Sequence, residues 1–152
     1  MRRHVIIGRF GLDDRIRVPK ARDEVASILQ LVAGKRLDHG IGRALGDLKA
    51  LHLTPSEIGA DMLLVAAHVH AADTRISRST ESQDAWTREI RLVIPVSDPV
   101  RWTTAAPILV RALNFLTGDR WDVGFRKRAK GYARLVPATA PTLIPAPFDG
   151  VS

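Results

Sequence analysis

The stretch that decides the fold covers residues 71–126 and contains four well-marked segments. They read AADTRISR at 71–78, DAWTREIRLVIPVSDP at 84–99, NFLTGDRW at 114–121 and DVGFR at 122–126. Side chains alternate with a period of two through residues 86–96, which predicts a strand with one face buried. A second alternating segment over residues 121–125 predicts a closing strand. We therefore expect the rest of the chain to pack around this block.

Capping residues signal two helices on either side of the first strand. Residues 54–57 read TPSE, a capping-box pattern in which Thr54 would cap the helix, Glu57 would reach back to it and Pro55 would lie in the first turn. This pattern predicts a helix that continues to about Asp73. Asp98 followed by Pro99 predicts the start of another helix, and Gly118 predicts its end. Both helices carry apolar residues at helical spacing.

The segments before residue 54 are less regular. Residues 4–10 predict a short buried strand, and residues 14–18 predict a second one. Residues 22–33 fit either a helical stripe or a strand, with helix favoured at their start, and residues 41–53 predict a short helix. This order indicates an α+β domain, in which a small, mostly antiparallel sheet carries about three helices on one face.

The character of the chain changes after residue 129. Residues 130–152 contain four prolines and no periodicity: Pro137, Pro141, Pro145 and Pro147. Such a composition is typical of an extended linker or of an arm laid over a neighbour. We therefore predict one domain over residues 1–129, followed by a Pro-rich arm.

Composition limits the class of protein. The 152 residues are 45% hydrophobic and 26% charged, as in a globular domain. The absence of cysteine excludes disulfides and thiolate metal sites and fits a reducing cytoplasm. No run approaches the roughly 20 apolar residues of a membrane span. A net charge of +7 favours association with nucleic acid or with an acidic protein.

No recognised catalytic or cofactor motif is present. The chain lacks the glycine-rich nucleotide-binding patterns, the GxSxG elbow and the HExxH zinc motif. His68 and His70 lie two residues apart on a predicted helix, so they point in different directions rather than towards a shared metal. The sequence therefore predicts no catalytic, cofactor or metal residues.

One arginine lies on an apolar face. Arg88 is in register with Trp86 and Ile90, so it should point into the core, where a charge must be paired. The residues expected around it form either a structural ion-pair junction beside packed aromatic side chains or a preorganised site for an anionic group. This set comprises Asp73, Arg75, Arg78, Asp84, Trp86, Arg88, Asp119, Trp121 and Phe125. Asp73 and Asp84 are the expected partners of Arg88.

The densest basic run follows the closing strand. It consists of Arg126, Lys127, Arg128, Lys130 and Arg134. A solvated face is one interpretation of such a run, and contact with nucleic acid is the other.

The segments AADTRISR, DAWTREIRLVIPVSDP and FLTGDRWDVGFR, in this order, resemble the N-terminal region of QueC-like proteins. These occur in bacterial anti-phage systems, in the QatC type and its relatives, and are similar to 7-cyano-7-deazaguanine synthase. The resemblance covers about residues 41–128. The final residues, FDGVS at 148–152, look like the approach to the ATP-binding PP-loop that follows this region in the family.

The resemblance implies a role in recognition rather than in catalysis. No position in this chain matches the PP-loop or the zinc-binding cysteines, so none of the family's catalytic residues can be assigned here. Deazaguanine chemistry would then belong to a catalytic core outside these residues. The chain would be an excised domain or a truncated product, or the catalytic half would be a separate polypeptide. We expect a non-enzymatic, cytoplasmic accessory domain that binds a protein of the same defence system or the QueC-like core. A basic nucleic-acid-binding module and an enzyme with a site at the arginine junction are the alternatives.

Overall fold

A computed structural model describes residues 3–34, 36–77 and 87–136. Its main sheet contains four strands, all parallel: β1 (Arg3–Arg9), β2 (Glu24–Gln30), β5 (Glu89–Val96) and β6 (Arg120–Lys127). Their order across the sheet is β2-β1-β5-β6. Two short strands, β3 (Val32–Ala33) and β4 (Arg36–Leu37), form a separate antiparallel pair. The described helices are α1 (Ile41–Ala50), α2 (Glu57–Arg75) and α3 (Pro99–Thr117).

The prediction of a mostly antiparallel sheet is wrong. The four main strands are parallel, and only the small β3–β4 pair is antiparallel. The sequence misleads because parallel sheets usually carry helices on both faces, which gives strands that are apolar on both sides. Here the described helices pack on one face, so β5 keeps the alternation that is typical of an antiparallel strand.

Three local predictions also differ from the structure. Residues 14–18, predicted as a strand, are irregular, and residues 24–30 form β2, which is the strand alternative for residues 22–33, although the pattern favours helix at their start. Ser56, not Thr54, caps α2, because its side chain accepts a hydrogen bond of 3.0 Å from the Gly59 N–H. Glu57 is therefore free to bind elsewhere. By contrast, α3 begins after the Asp98 cap and ends at Gly118 in the left-handed conformation, as the sequence predicts.

The core lies between the helices and one face of the sheet. Ile6, Leu92 and Val123 project from three neighbouring strands into a cluster that includes Leu64 of α2 and Leu113 of α3. Because side chains alternate along a strand, residues next to these project from the opposite face. The side chains on this opposite face do not pack against helices, since no helix among the described residues covers it.

The irregular segment 10–23 crosses the opposite face and joins β1 to β2. Arg91 of β5 donates hydrogen bonds of 3.1 Å to the Pro19 carbonyl and to Glu24. Arg126 of β6 binds Asp14 at 2.6 Å. Two arginines of the sheet thus hold this connection in place of the usual crossover helix. The connection that leaves β1 runs over one face towards β2, and the connection that leaves β5 runs over the other face towards β6. The carboxyl edge between β1 and β5 is therefore a position where ligands commonly bind in α/β folds.

Pro95 lies in a central strand, where proline is unusual because it donates no backbone hydrogen bond. The neighbouring Gly8 carbonyl accepts a hydrogen bond of 2.7 Å from Nη2 of Arg126. This side chain therefore supplies a donor beside the strand position that lacks an N–H.

We expect opposite effects from alanine at two glycines. A Cβ at Gly8 would clash with the His68 ring, whose Cε1 would lie 2.7 Å away, and with Pro95 Cδ at 2.8 Å. Gly8→Ala should therefore lower the free energy of unfolding by about 1–3 kcal/mol. Gly46 lies inside α1, and nothing lies within 4 Å of the position that an alanine methyl group would occupy there. Gly46→Ala should raise stability by about 0.5–1 kcal/mol, and chemical denaturation measures both changes.

Candidate functional site

Arg88 lies at the edge of the sheet where the strands begin and is 2% exposed. Its guanidinium contacts Asp119 through Nη2 at 2.7 Å and through Nε at 3.2 Å. Nη2 also donates to Asp73 at 2.9 Å, while Nη1 donates to the backbone carbonyls of Ile76, at 2.8 Å, and Asp73, at 3.4 Å. We call Arg88, Asp73 and Asp119 the amino-edge cluster.

The amino-edge cluster uses every donor of the Arg88 guanidinium, which has five N–H groups. Burial alone would lower the pKa of Arg88, but the hydrogen bonds that its guanidinium donates to Asp119 and Asp73 outweigh this effect and raise that pKa above its ordinary value. No N–H of Arg88 is left for an external anion. The arrangement is thus suited to joining the end of α2 to the starts of β5 and β6.

The other residues that the sequence groups with Arg88 occupy different positions. Arg75 is exposed and donates a long hydrogen bond of 3.5 Å to the Ile28 carbonyl. Trp121 is buried, and its Nε1 donates to Thr117 at 2.8 Å. Phe125 packs against Trp102, with a distance of 5.4 Å between ring centroids. Arg78, Asp84 and Trp86 lie outside the described residues.

Sequence reasoning missed a second buried charge cluster at the edge where the strands end. Asp61 of α2, which is 0% exposed, accepts hydrogen bonds from Arg128, from the Ser97 backbone and hydroxyl, and from Trp102 Nε1 at 2.9 Å. Arg128 also binds Glu57 at 2.6 Å. Asp61, Arg128, Glu57, Ser97 and Trp102 form the carboxyl-edge cluster. The available sequence signal was Asp61, an acidic residue on the apolar stripe of its helix.

Glu57 extends this cluster to the chain that follows β6. Its carboxylate accepts backbone hydrogen bonds from Leu135 at 2.9 Å and from Val136 at 3.0 Å. Burial acts to raise the pKa of Glu57, but hydrogen bonds from these two amides and from Arg128 hold it below its ordinary value. Leu135 and Val136, which belong to the segment predicted as an extended arm, are therefore hydrogen-bonded to α2, and Leu135 is buried. Residues 137–152 of that arm lie outside the described residues.

The predicted basic run is divided between buried and exposed positions. Arg126 pairs with Asp14, and Arg128 belongs to the carboxyl-edge cluster. Lys127, Lys130 and Arg134 are exposed. Two of the five charges are thus neutralised inside the domain. This leaves fewer positive charges in the run to contact a phosphate backbone.

A cavity of about 810 Å³ lies beside the ends of β1 and β2. The stacked rings of Phe10 and Tyr132, with centroids 4.7 Å apart, form part of its wall. Asp14 lines it too, but its carboxylate is held by Arg126 and by the Phe10 N–H. Residues 3–34, 36–77 and 87–136 contain no group of three or more His, Asp or Glu side chains arranged to hold a metal ion.

His68 is buried in α2 beneath Gly8. Its Nδ1 lies 2.6 Å from the Leu64 carbonyl, and its Nε2 has no hydrogen-bond partner among the described residues. Burial lowers the pKa of His68 to about 4, since the charged ring would be poorly solvated. His70, two residues on, lines a separate cavity between α1 and α2. The two histidines do not share a site.

We expect His68 to make stability pH-dependent between about pH 6.5 and pH 4. In this window the unfolded chain, with an ordinary histidine pKa near 6.5, binds a proton that the folded state excludes. Stability should therefore fall as the pH falls, by about 3 kcal/mol in total. His68→Gln should remove this part of the dependence, as urea denaturation across the pH range would measure. An unchanged pH profile in the variant would contradict the assignment.

The outer face of α3 is a large apolar surface. We define it as eight of the ten exposed residues of this helix, without Thr103 and Pro107: Val100, Arg101, Thr104, Ile108, Arg111, Ala112, Phe115 and Leu116. Phe115 is 86% exposed, Val100 78%, Leu116 76% and Ile108 72%. Only Leu113 of this helix is buried. Four large apolar side chains exposed on one side of a single helix are typical of a contact surface.

Comparison with known proteins assigns no family to this domain. No family model, curated protein or solved structure matches the chain. No described helix has the length and hydropathy required to cross a membrane.

Proposed function

We propose that this chain is a non-catalytic recognition or assembly domain that binds a protein partner through the outer face of α3. The exposure of Val100, Ile108, Phe115 and Leu116 carries the proposal. Contiguous apolar patches of this kind on otherwise charged domains mark interaction sites. Aromatic anchors such as Phe115 contribute a large share of binding energy at protein interfaces.

The two buried charge clusters support a non-catalytic role. The donors of Arg88 are all used within the amino-edge cluster. Asp61, at the edge of the sheet where α/β folds often place their active sites, is bound by three neighbouring residues. Both clusters fasten α2 to the sheet, which gives α3 and β6 a rigid base.

The resemblance to the N-terminal region of QueC-like anti-phage proteins supports a more specific proposal for the partner. The partner would be a protein of the same defence system or the QueC-like catalytic core, in the cytoplasm. The chain would then supply recognition, and the core would supply ATP-dependent chemistry.

Association measurements with purified partners test the proposal. The QueC-like core and the proteins encoded beside this chain should be titrated against it by isothermal calorimetry. Phe115→Asp should weaken binding by at least about tenfold, while Leu12→Asp should leave it unchanged. Leu12 is a matched control because it is 81% exposed but lies outside α3. Absence of binding to all these proteins would overturn the proposal.

Nucleic-acid binding is the second candidate, supported by the exposed Lys127, Lys130 and Arg134 and by the net charge of +7. Binding of this type weakens steeply with salt because phosphate neutralisation releases counterions. A filter-binding signal at low salt that disappears in Lys127→Glu/Lys130→Glu would favour it over the first proposal.

A further inference from the structure

We propose that the partner segment seated on the outer face of α3 is an acidic amphipathic helix. This inference rests on the proposed function and specifies the chemistry of the partner. Its apolar side would pack on Ile108 and Phe115, and its carboxylates would pair with Arg101 and Arg111.

The shape of the outer face fits a helix. Val100, Thr104, Ile108, Ala112 and Leu116 follow one another at intervals of four residues and form a ridge. The ridge runs over 17 residues, and its ends lie about 24 Å apart along the axis. Ridges of this spacing pack into the corresponding grooves of a second helix, the commonest mode of helix packing. Small side chains at Thr104 and Ala112 alternate with larger ones and leave room for side chains of the partner.

The positive charge of the outer face favours a partner with negative charge. Arg101 and Arg111 are both exposed, and α3 carries no acidic residue from Pro99 to Thr117. Neither guanidinium has a hydrogen-bond or ion-pair partner within the described parts of the chain. Arginine binds carboxylates with two parallel hydrogen bonds, so acidic residues flanking an apolar stripe would complement both positions.

A second copy of the chain fits this face less well. In an antiparallel two-fold pairing centred on Ile108, the partner's Arg111 would lie opposite Ala105. Ala105 lies four residues, or about 6 Å along the axis, from Arg101. The two arginines would therefore be closer than the Debye length at physiological salt, about 8 Å, and would repel each other. Each copy also carries a net charge of +7. Like charges would therefore oppose self-association, whereas an acidic helix would be attracted.

Two synthetic peptides provide the probe. Both are about 20 residues long, to favour helix formation, with the same leucine ridge; one has glutamate and the other lysine at the flanking positions. Fluorescence anisotropy with the whole chain should show the acidic peptide binding at least about tenfold more tightly than the basic one. Arg101→Glu/Arg111→Glu should reverse this preference. Arg43→Glu/Lys49→Glu, an equal charge change on exposed positions of α1, should preserve it.

The remaining outcomes separate this inference from the proposed function. Equal binding of the two peptides, abolished by Phe115→Asp, would overturn the acidic partner and retain the interaction face. Self-association in sedimentation experiments, lost in Phe115→Asp, would assign the face to a second copy instead. If neither peptide binds, the chain stays monomeric and no partner is found by calorimetry, both proposals are overturned.

Discussion

Replacing Arg88 with alanine is expected to lower the free energy of unfolding by roughly 3–5 kcal/mol. The substitution takes the guanidinium away from Asp119, a carboxylate whose side chain is 0% exposed. It also removes the donors to the Ile76 and Asp73 carbonyls at the end of α2. Urea denaturation followed by circular dichroism measures the change.

Two controls separate burial from charge in the amino-edge cluster. Asp73 binds the same guanidinium, but its side chain is 60% exposed, so Asp73→Asn should cost no more than about 1 kcal/mol. Arg88→Ala combined with Asp119→Ala should cost less than the sum of the single changes, because the second removes the buried carboxylate that has lost its guanidinium. A loss below about 1 kcal/mol for Arg88→Ala would contradict a structural role for the cluster.

The second large effect is expected for Asp61→Ala, at roughly 3–5 kcal/mol. This change removes the acceptor for Arg128, Ser97 and Trp102 together, and the Arg128 side chain is only 1% exposed. A buried guanidinium would then keep Glu57 as its one carboxylate partner among the described residues. Thermal and urea denaturation should show the loss with the cooperative transition retained.

Asp98→Ala is the matched control for Asp61→Ala. Asp98 also lies beside the carboxyl edge of the sheet, but it caps α3 through one hydrogen bond of 3.1 Å to the Arg101 N–H at an exposed position. Loss of such a cap costs about 1 kcal/mol. Equal losses for the two variants would mean that Asp61 acts as an ordinary surface carboxylate.

Local signals predicted the elements that depend on nearby residues. The Asp98 cap, Pro99 and Gly118 define α3 through contacts within a few residues, and the structure places this helix between them. The alternation of Ile90, Leu92 and Ile94 likewise marks β5. Capping and alternation are properties of short segments, so one sequence is enough to show them.

The direction of the strands and the assignment of residues 24–30 as a strand could not be predicted from local signals, because both depend on contacts between residues far apart in sequence. Segment 10–23 replaces a crossover helix and is held by Arg91 and Arg126, which follow it by more than 60 residues. Glu24 is buried in β2 because it pairs with Arg91, and not because of a local pattern. Propensity and periodicity describe neighbouring residues only, so they do not show ion pairs between distant residues. The parallel arrangement that these pairs stabilise was therefore not predicted.

In the candidate site, too, some features follow from nearby residues and others depend on distant contacts. Burial of Arg88 follows from its place in the strand pattern, but Asp119 as its buried partner requires the parallel pairing of β5 with β6. The role of Arg128 was hidden in a basic run, since its partner Asp61 lies 67 residues away. The outer face of α3 was not singled out, because its apolar ridge reads in sequence as ordinary helix.

Hydrogen exchange measured by mass spectrometry tests the recognition role most directly. The free chain should be compared with its complex with any protein that binds it in the calorimetric titrations. Added protection of backbone amides confined to α3 and the adjoining β6 is the predicted result. Protection concentrated in α1 and the β3–β4 pair, with α3 unchanged, would contradict the assignment of α3 as the binding face.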